Sequence, residues 1–167
     1  MTRPLHLESL TAEAFRPFGK VIEADASRRR LINNGTTERF DALASVDAGE
    51  GGTAILSIFR ARAIGTPLVV TMLERHPLGA QAFVPMQRQP WLVVVAEEPV
   101  PSALRVFLAR GDQGVQYAAG TWHHPILPLH APQEFLVVDR DRDQPNREVA
   151  TLASAVFINL SALETAG

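Results

Sequence analysis

Short apolar runs, separated by glycine and proline, dominate this chain. Val, Ile, Leu and Phe are frequent in these runs, and few of them reach the length of a helix. Many short strands with turn signals between them are typical of a sandwich or a barrel. We therefore predict a single all-β domain over residues 1–167 with one or two short helices. The predicted strands are Lys20–Ala24, Ala54–Ala61, Leu68–Leu73, Ala82–Met86, Trp91–Ala96, Leu104–Ala109, Gly114–Ala118, Glu134–Asp139 and Ala155–Leu160.

The best helical segment lies near the amino terminus, from Thr11 to Phe18. Thr11 can cap its first turn, Glu13 is favourable there, and Gly19 can end the helix.

The composition excludes several classes of function. The formal net charge is −2 and the basic run is short, so we expect no nucleic-acid partner. The chain has no cysteine, which leaves no disulfide, thiolate nucleophile or sulfur metal site. The amino terminus lacks the apolar core of a signal peptide, and no segment approaches membrane-spanning length. We expect a cytoplasmic protein with no membrane partner, and a solvated charged turn at Asp139–Asp143.

Two segments, Met72–Phe83 and Gly120–Pro125, carry three of the five histidines. Alternate residues of a strand share a face, so Glu74 and His76 point one way and Arg75 the other. We therefore expect Arg75 to be structural or to lie at a dimer edge. Gln81 can return to the face of His76 across the Pro–Gly turn, and His123 lies three residues after Gly120, which we expect to end a strand.

Any one of these histidines alone is best interpreted as a hydrogen-bonded surface group. Together they favour a site, because polar side chains inside a barrel are costly without a partner or ligand.

The spacing resembles the two cupin motifs, His-x-His followed by Glu, and Gly-x-x-His. Glu74 stands at the first His position and Gln81 at the Glu position, while His76 and His123 match their motifs. The predicted metal ligands are thus Glu74, His76, Gln81 and His123. This set suits a divalent ion but binds it less firmly than three imidazoles would.

A narrower resemblance covers the chain from about Leu5 to Leu160. The segments Ile32–Phe40, Ser57–Arg62, Met72–Phe83, Trp91–Ala96 and Tyr117–Pro125 look like those of the ureidoglycolate lyases. The resemblance implies a cupin-like double-stranded β-helix, or jelly-roll barrel, that is usually a homodimer. It also implies cleavage of ureidoglycolate to glyoxylate and urea in allantoin degradation, part of purine catabolism. A divalent metal, with nickel named for the family, is implied, and no organic cofactor.

Such a reaction requires a base near neutral pKa, a proton donor and a carboxylate clamp. His76 or His123 can be the base or hold a metal, His124 or Tyr117 can donate a proton, and Glu74 can orient an imidazole. Arginine is the best carboxylate clamp because its planar fork makes two parallel hydrogen bonds. The predicted substrate-binding residues are Arg39, Arg60 and Arg62 for the carboxylate, Asn33, Asn34 and Gln81 for the ureido group, and Trp122 as a pocket wall.

Two other classes of function remain open on the sequence. One is a non-catalytic cupin that binds a small molecule. The other is a different metal-assisted enzyme, such as a sugar isomerase or an amidohydrolase that releases ammonia from the same substrate.

Overall fold

The computed structural model describes residues 5–63, 65–141 and 145–164, and most of its regular structure is β-strand. The two α-helices are short, α1 at Ala12–Phe15 and α2 at Ser161–Glu164. Single 3-10 turns lie at Ala26–Arg28 and Pro101–Ala103. The strands are β1 (Leu7–Ser9), β2 (Gly19–Ile22), β3 (Arg29–Ile32), β4 (Thr37–Phe40), β5 (Ala54–Ala61), β6 (Leu68–Arg75), β7 (Gln81–Pro85), β8 (Trp91–Ala96), β9 (Leu104–Ala109), β10 (Gly114–Tyr117), β11 (Trp122–His123), β12 (Leu127–Pro128), β13 (Gln133–Arg140) and β14 (Glu148–Ile158).

Two sheets form the body of the molecule. The larger has the order β1-β9-β8-β11-β6-β14, with β12 also paired to β8, and the smaller has the order β2-β10-β7-β13-β5. Consecutive strands β6 and β7 therefore belong to different sheets, and the turn between them connects the two. This arrangement confirms the predicted all-β, cupin-like jelly-roll barrel with short helices. Strands β3 and β4 pair with each other, as a separate hairpin.

The main hydrophobic core lies between the two sheets. Trp91, Val93 and Val95 enter it from the larger sheet, and Phe83 and Phe135 from the smaller one. The Trp91 and Phe135 rings meet edge to face at a centroid distance of 4.8 Å. These aromatic contacts fix the two sheets against each other.

A second core covers the other face of the larger sheet. It contains the alternate β8 residues Leu92, Val94 and Ala96, together with Leu73 and Trp122. Strand β8 is thus buried on both faces, which explains why its sequence is continuously apolar rather than alternating.

Helix α1 begins where the sequence predicts and ends sooner. The Thr11 hydroxyl accepts a hydrogen bond from the Ala14 amide at 3.2 Å. After Phe15 the chain makes a turn closed by the Phe18 amide on the Phe15 carbonyl, and both aromatic rings are buried. The described helices include none that is both long enough and apolar enough to cross a membrane.

The strand predictions vary in accuracy with the local pattern. Strands β5, β8 and β9 have the predicted bounds, whereas the sequence failed to indicate β1, β3, β4, β11, β12 and the first half of β14. Gly120 does not end a strand, because β10 stops at Tyr117 and Gly120 adopts a φ of 81° in the following turn.

Candidate active site and metal centre

A cavity of about 800 Å³ is lined by residues from both sheets. Glu74 and His123 come from the larger sheet, Gln81 from the smaller one, and His76 from the turn that joins them. The sequence patterns therefore predicted a set of residues that the fold brings together. The remaining lining residues are Phe59, Arg60, Ala61, Ala80, Phe83, Pro125, Ile126, Asp139, Arg140, Asp141, Pro145, Asn146 and Arg147.

Glu74 and His123 are placed side by side by strand pairing. They are register partners on the antiparallel strands β6 and β11. Glu74 Oε1 lies 3.7 Å from His123 Nε2, which is too far for a good hydrogen bond but close enough for the carboxylate to favour the protonated form of the imidazole.

The His123 ring is buried and held on two sides. Its Nδ1 donates to the Thr121 carbonyl at 2.9 Å. Because a carbonyl can only accept, the ring proton is on Nδ1. Tyr117 stacks on the ring at a centroid distance of 4.2 Å. The Nε2 atom is buried and has no hydrogen-bond partner among the described residues. Burial lowers the pKa of His123 to about 4 because an imidazolium is poorly solvated there. At neutral pH this histidine is uncharged, with a lone pair on Nε2.

The His76 ring is fixed by a distant part of the chain. Its Nδ1 donates to the Asn146 carbonyl at 2.6 Å, and the Asn146 side-chain oxygen accepts from the Leu78 amide at 2.7 Å. Asn146 thus holds the turn that carries His76 and sets the tautomer of its ring. The His76 and His123 ring centroids are 5.4 Å apart.

Glu74, His76 and His123 fit a divalent metal ion. Each offers one ligand atom, and these atoms lie within 4.8 Å of one another. A backbone carbonyl accepts the Nδ1 proton of each imidazole, which is the usual support for a histidine that binds metal through Nε2. Gln81 is buried beside them, and its Oε1 has no partner within the described ranges, while its amide nitrogen donates to Asp139 at 3.0 Å. Gln81 Oε1 is therefore a candidate for a weaker fourth ligand.

Sequence reasoning missed several residues that line the cavity. Arg147 Nε donates to Glu74 Oε2 at 2.7 Å. The prediction of a solvated turn at Asp139–Asp143 is wrong for Asp139 and Arg140, which belong to a strand and line the cavity, whereas Asp141 lines the cavity and is exposed. Strand β13 extends to Arg140, which pairs with Ala54 and is buried, donating to the carbonyls of Ala48 and Glu50. The other two residues of that predicted turn lie outside the described residues.

Tyr117 and His124 lie next to the cavity rather than on its described lining. Tyr117 pairs with Gln81 across β10 and β7, and burial, aided by the Glu74 charge, raises the pKa of its phenol. His124 Nδ1 donates to the Pro125 carbonyl at 2.9 Å, and burial lowers the pKa of its imidazole.

Trp122 faces away from His123, because neighbouring residues of β11 point to opposite faces. Its ring belongs to the second core, and the Arg75 guanidinium lies 4.6 Å from the ring centroid. Arg75 also binds Glu148, as expected for a structural residue. The structure thus places Trp122 away from the pocket that it was predicted to wall.

The remaining predicted substrate-binding residues are dispersed. Arg60 lies on the cavity lining and pairs with Glu134. Arg62 is exposed after β5, and Asn33, Asn34 and Arg39 are exposed on the β3–β4 hairpin. Arg39 pairs with Asp41. The described cavity lining includes none of these last four residues, so their roles stay predictions.

Comparison with known proteins identifies the family. A sequence model of the family described as ureidoglycolate lyase matches residues 2–159. Ureidoglycolate lyase 1 of Rhizobium meliloti is 54% identical over 151 residues, covering 89% of this chain and 89% of the relative. The ureidoglycolate lyase of Brucella melitensis biotype 2 is 52% identical over 147 residues, covering 86% and 87%. The Rhizobium etli ureidoglycolate lyase is also 52% identical over 147 residues, covering 86% and 89%. The chain therefore belongs to the ureidoglycolate lyase family.

Proposed function

We propose that the protein is a ureidoglycolate lyase that cleaves ureidoglycolate to glyoxylate and urea in allantoin degradation. The observation that carries this proposal is the pair of imidazoles beside Glu74, each with its Nδ1 proton donated to a backbone carbonyl. This geometry leaves the Nε2 lone pairs for proton transfer or metal binding. The names of the relatives support the choice of substrate.

The substrate is a carbinolamide whose central carbon carries a hydroxyl, a ureido nitrogen and a carboxylate. A base takes the hydroxyl proton, and the released electron pair forms the aldehyde C=O bond. The C–N bond breaks, and its electrons go to the urea nitrogen, which gains a proton. These reaction steps need no covalent nucleophile.

His123 is suited to take the hydroxyl proton. It is neutral at pH 7, and its Nε2 has no partner among the residues described. Glu74 Oε1, at 3.7 Å, stabilises the imidazolium that forms when the proton arrives. Tyr117 stacks on the ring and restricts its tilt.

The proton for the departing urea comes from His124 or Tyr117 in this proposal. Burial raises the pKa of Tyr117, so its phenol keeps a proton at neutral pH. Burial lowers the pKa of His124, so this residue is mainly neutral at the same pH, and its one ring proton is donated to the Pro125 carbonyl. Tyr117 is therefore the candidate that holds a proton for the urea nitrogen.

Glu74, His76 and His123 would hold a divalent ion, with Gln81 Oε1 as a weaker donor, and we propose nickel from the family resemblance. Such an ion, when bound, lowers the pKa of an oxygen acid that it contacts. One Nε2 atom cannot be a ligand and a base at once, so metal analysis distinguishes the two roles of His123.

A homodimer and a cytoplasmic location complete the proposal. The homodimer rests on the resemblance to the family. The β3–β4 hairpin, which carries Asn33, Asn34 and Arg39, is exposed. In a homodimer these residues would contribute to the cavity of the second subunit rather than to that of their own chain.

Product analysis tests the proposed function. Purified protein given ureidoglycolate should release urea and glyoxylate in equal amounts. Ammonia in place of urea would indicate the amidohydrolase, and the absence of both products would indicate a binding protein.

A further inference from the structure

Arg60, Arg140 and Arg147 are the arginines on the described lining of the cavity, and their guanidinium groups have different hydrogen-bond partners. Arg60 uses Nε and Nη2 on the Glu134 carboxylate, and its side chain is 75% exposed. Arg140 is buried and bonded to the carbonyls of Ala48 and Glu50. Arg147 contacts Glu74 through Nε, and no described residue accepts a hydrogen bond from its two terminal nitrogens. Among the described lining residues, Arg147 is therefore the arginine whose two terminal nitrogens are available to a ligand.

Arg147 also lies where a clamp for this substrate is needed. In ureidoglycolate the carboxylate is attached to the same carbon as the hydroxyl that loses its proton. A clamp must therefore lie within a few ångströms of the base. Arg147 Nε is 2.7 Å from Glu74 Oε2, and Glu74 Oε1 is 3.7 Å from His123 Nε2. A single carboxylate thus separates the guanidinium from the buried imidazole.

The geometry points to Arg147 as the residue that recognises the substrate's carboxylate, through the two terminal nitrogens that Glu74 leaves free. The identity of the substrate rests on the proposed function, but the recognition of a carboxylate rests on the cavity alone. Planar guanidinium and planar carboxylate match in two parallel hydrogen bonds.

The same guanidinium holds Glu74, so Arg147 has a second effect. A bound carboxylate fixes the arginine side chain, which is 58% exposed, and the fixed arginine holds Glu74 in place beside His123. Binding of the substrate's charge is thereby linked to the orientation of the group that stabilises a protonated His123.

Binding of an unreactive pair of ligands tests the assignment. N-carbamoylglycine has the ureido group and the carboxylate but lacks the hydroxyl that cleavage requires, and N-carbamoylglycinamide is its neutral counterpart. Calorimetry with the full chain gives the ratio of their dissociation constants. We expect the wild type to prefer the acid, and Arg147→Gln to weaken binding of the acid by about 10-fold or more with little effect on the amide. Arg147→Lys keeps the charge but loses the fork, so it should retain part of the preference.

Two controls separate the clamp from other effects. Arg75→Gln makes the same change of charge on the opposite face of β6 and should keep the wild-type preference. Arg147→Gln also leaves the Glu74 carboxylate without its cation, and this unpaired carboxylate would itself repel the acid. In the double variant Glu74→Gln/Arg147→Gln that repulsion is gone, and acid binding should stay weak.

Several results would overturn the assignment. The assignment is wrong if the wild type shows no preference for the acid or if Arg147→Gln keeps that preference. It is also wrong if Arg60→Gln, instead of Arg147→Gln, loses the preference, or if the double variant recovers binding of the acid. Arg147 is exposed, so the thermal midpoint of the variant should match the wild type. If ureidoglycolate yields no urea but the preference depends on Arg147, the proposed function fails and the clamp stands.

Discussion

Glu74 and His123 are direct register partners on adjacent antiparallel strands, with 3.7 Å between Glu74 Oε1 and His123 Nε2. Strand β11 contains only Trp122 and His123, so this pairing rests on one short strand held between β6 and β8. A change at either position alters the electrostatic environment of the other.

Replacement of the buried histidine should abolish most of the turnover. His123→Ala should lower kcat and kcat/KM alike by about 100-fold or more, because it removes a group that acts on the proton in the transition state. His124→Ala, measured in parallel by steady-state urea release, separates the role of the neighbouring ring. His130→Ala is the control, since His130 is exposed. Wild-type turnover in the variant that lacks both His123 and His124 would rule out the site.

Metal affinity should depend on His76. His76→Ala leaves Glu74 and His123 as the strong donors, so affinity for nickel should fall by at least about 100-fold. Equilibrium dialysis followed by metal analysis measures the change, with His130→Ala as the control. Full activity in exhaustively chelated protein would instead mean that the histidines act as plain acid and base groups.

Stability should fall in mild acid. Burial lowers the pKa of His123 from 6.5 to about 4 in the folded state, so between these values the unfolded chain binds a proton that the folded chain does not. The contribution of His123 to the free energy of unfolding should therefore be nearly constant above pH 6.5. It should decrease by about 2 kcal/mol as the pH falls from 7 to 5.

Urea unfolding of the metal-free protein at these two pH values measures this decrease. His123→Gln should show a smaller one, and the lowered pKa of His124 accounts for a remainder of the same sign. An unchanged decrease in His123→Gln would contradict the assignment.

The turn that carries His76 should be sensitive to a methyl group at Gly49. A Cβ there would lie 2.0 Å from the Leu78 carbonyl oxygen, and Gly49 has a φ of 75°. Gly49→Ala should therefore lose about 2 to 4 kcal/mol of stability and also impair activity, because Leu78 lies between His76 and Gln81. Gly51→Ala is matched in φ, at 69°, but has open space around it, so it should lose about 1 kcal/mol and keep its activity. Equal losses in urea unfolding would contradict this explanation.

The sequence predicts the strands that have a clear apolar pattern along their whole length. Strands β5, β8 and β9 have an alternating or continuous apolar pattern and appear at the predicted bounds. The β3–β4 hairpin escapes prediction because its charged residues bind one another in solvent, as Arg29 does with Glu38. The first half of β14 escapes because it packs against β6 at an exposed edge and needs few apolar side chains.

The site is only partly predictable, for a related reason. Glu74, His76 and Gln81 are close in sequence, so strand parity and the turn between β6 and β7 are enough to predict them as one set. Arg147 reaches Glu74 because β14 pairs with β6 in a register that opposes Val149 to Glu74. No local sequence pattern predicts the pairing of β14 with β6. The alternating charges near Asp139 predict a solvent-exposed turn rather than part of a cavity. Long-range pairing therefore decides which arginines face the cavity.

The two imidazoles depend on anchors of different kinds. The carbonyl that orients His123 belongs to Thr121, two residues away, whereas the one that orients His76 belongs to Asn146, seventy residues away. A transient opening of the segment around Asn146 would release the His76 ring and leave His123 in place. Hydrogen exchange at the Leu78 amide, which donates to the Asn146 side chain, would report that opening. His123 is therefore oriented from within its own short strand, whereas the orientation of His76 depends on the contact between its turn and Asn146.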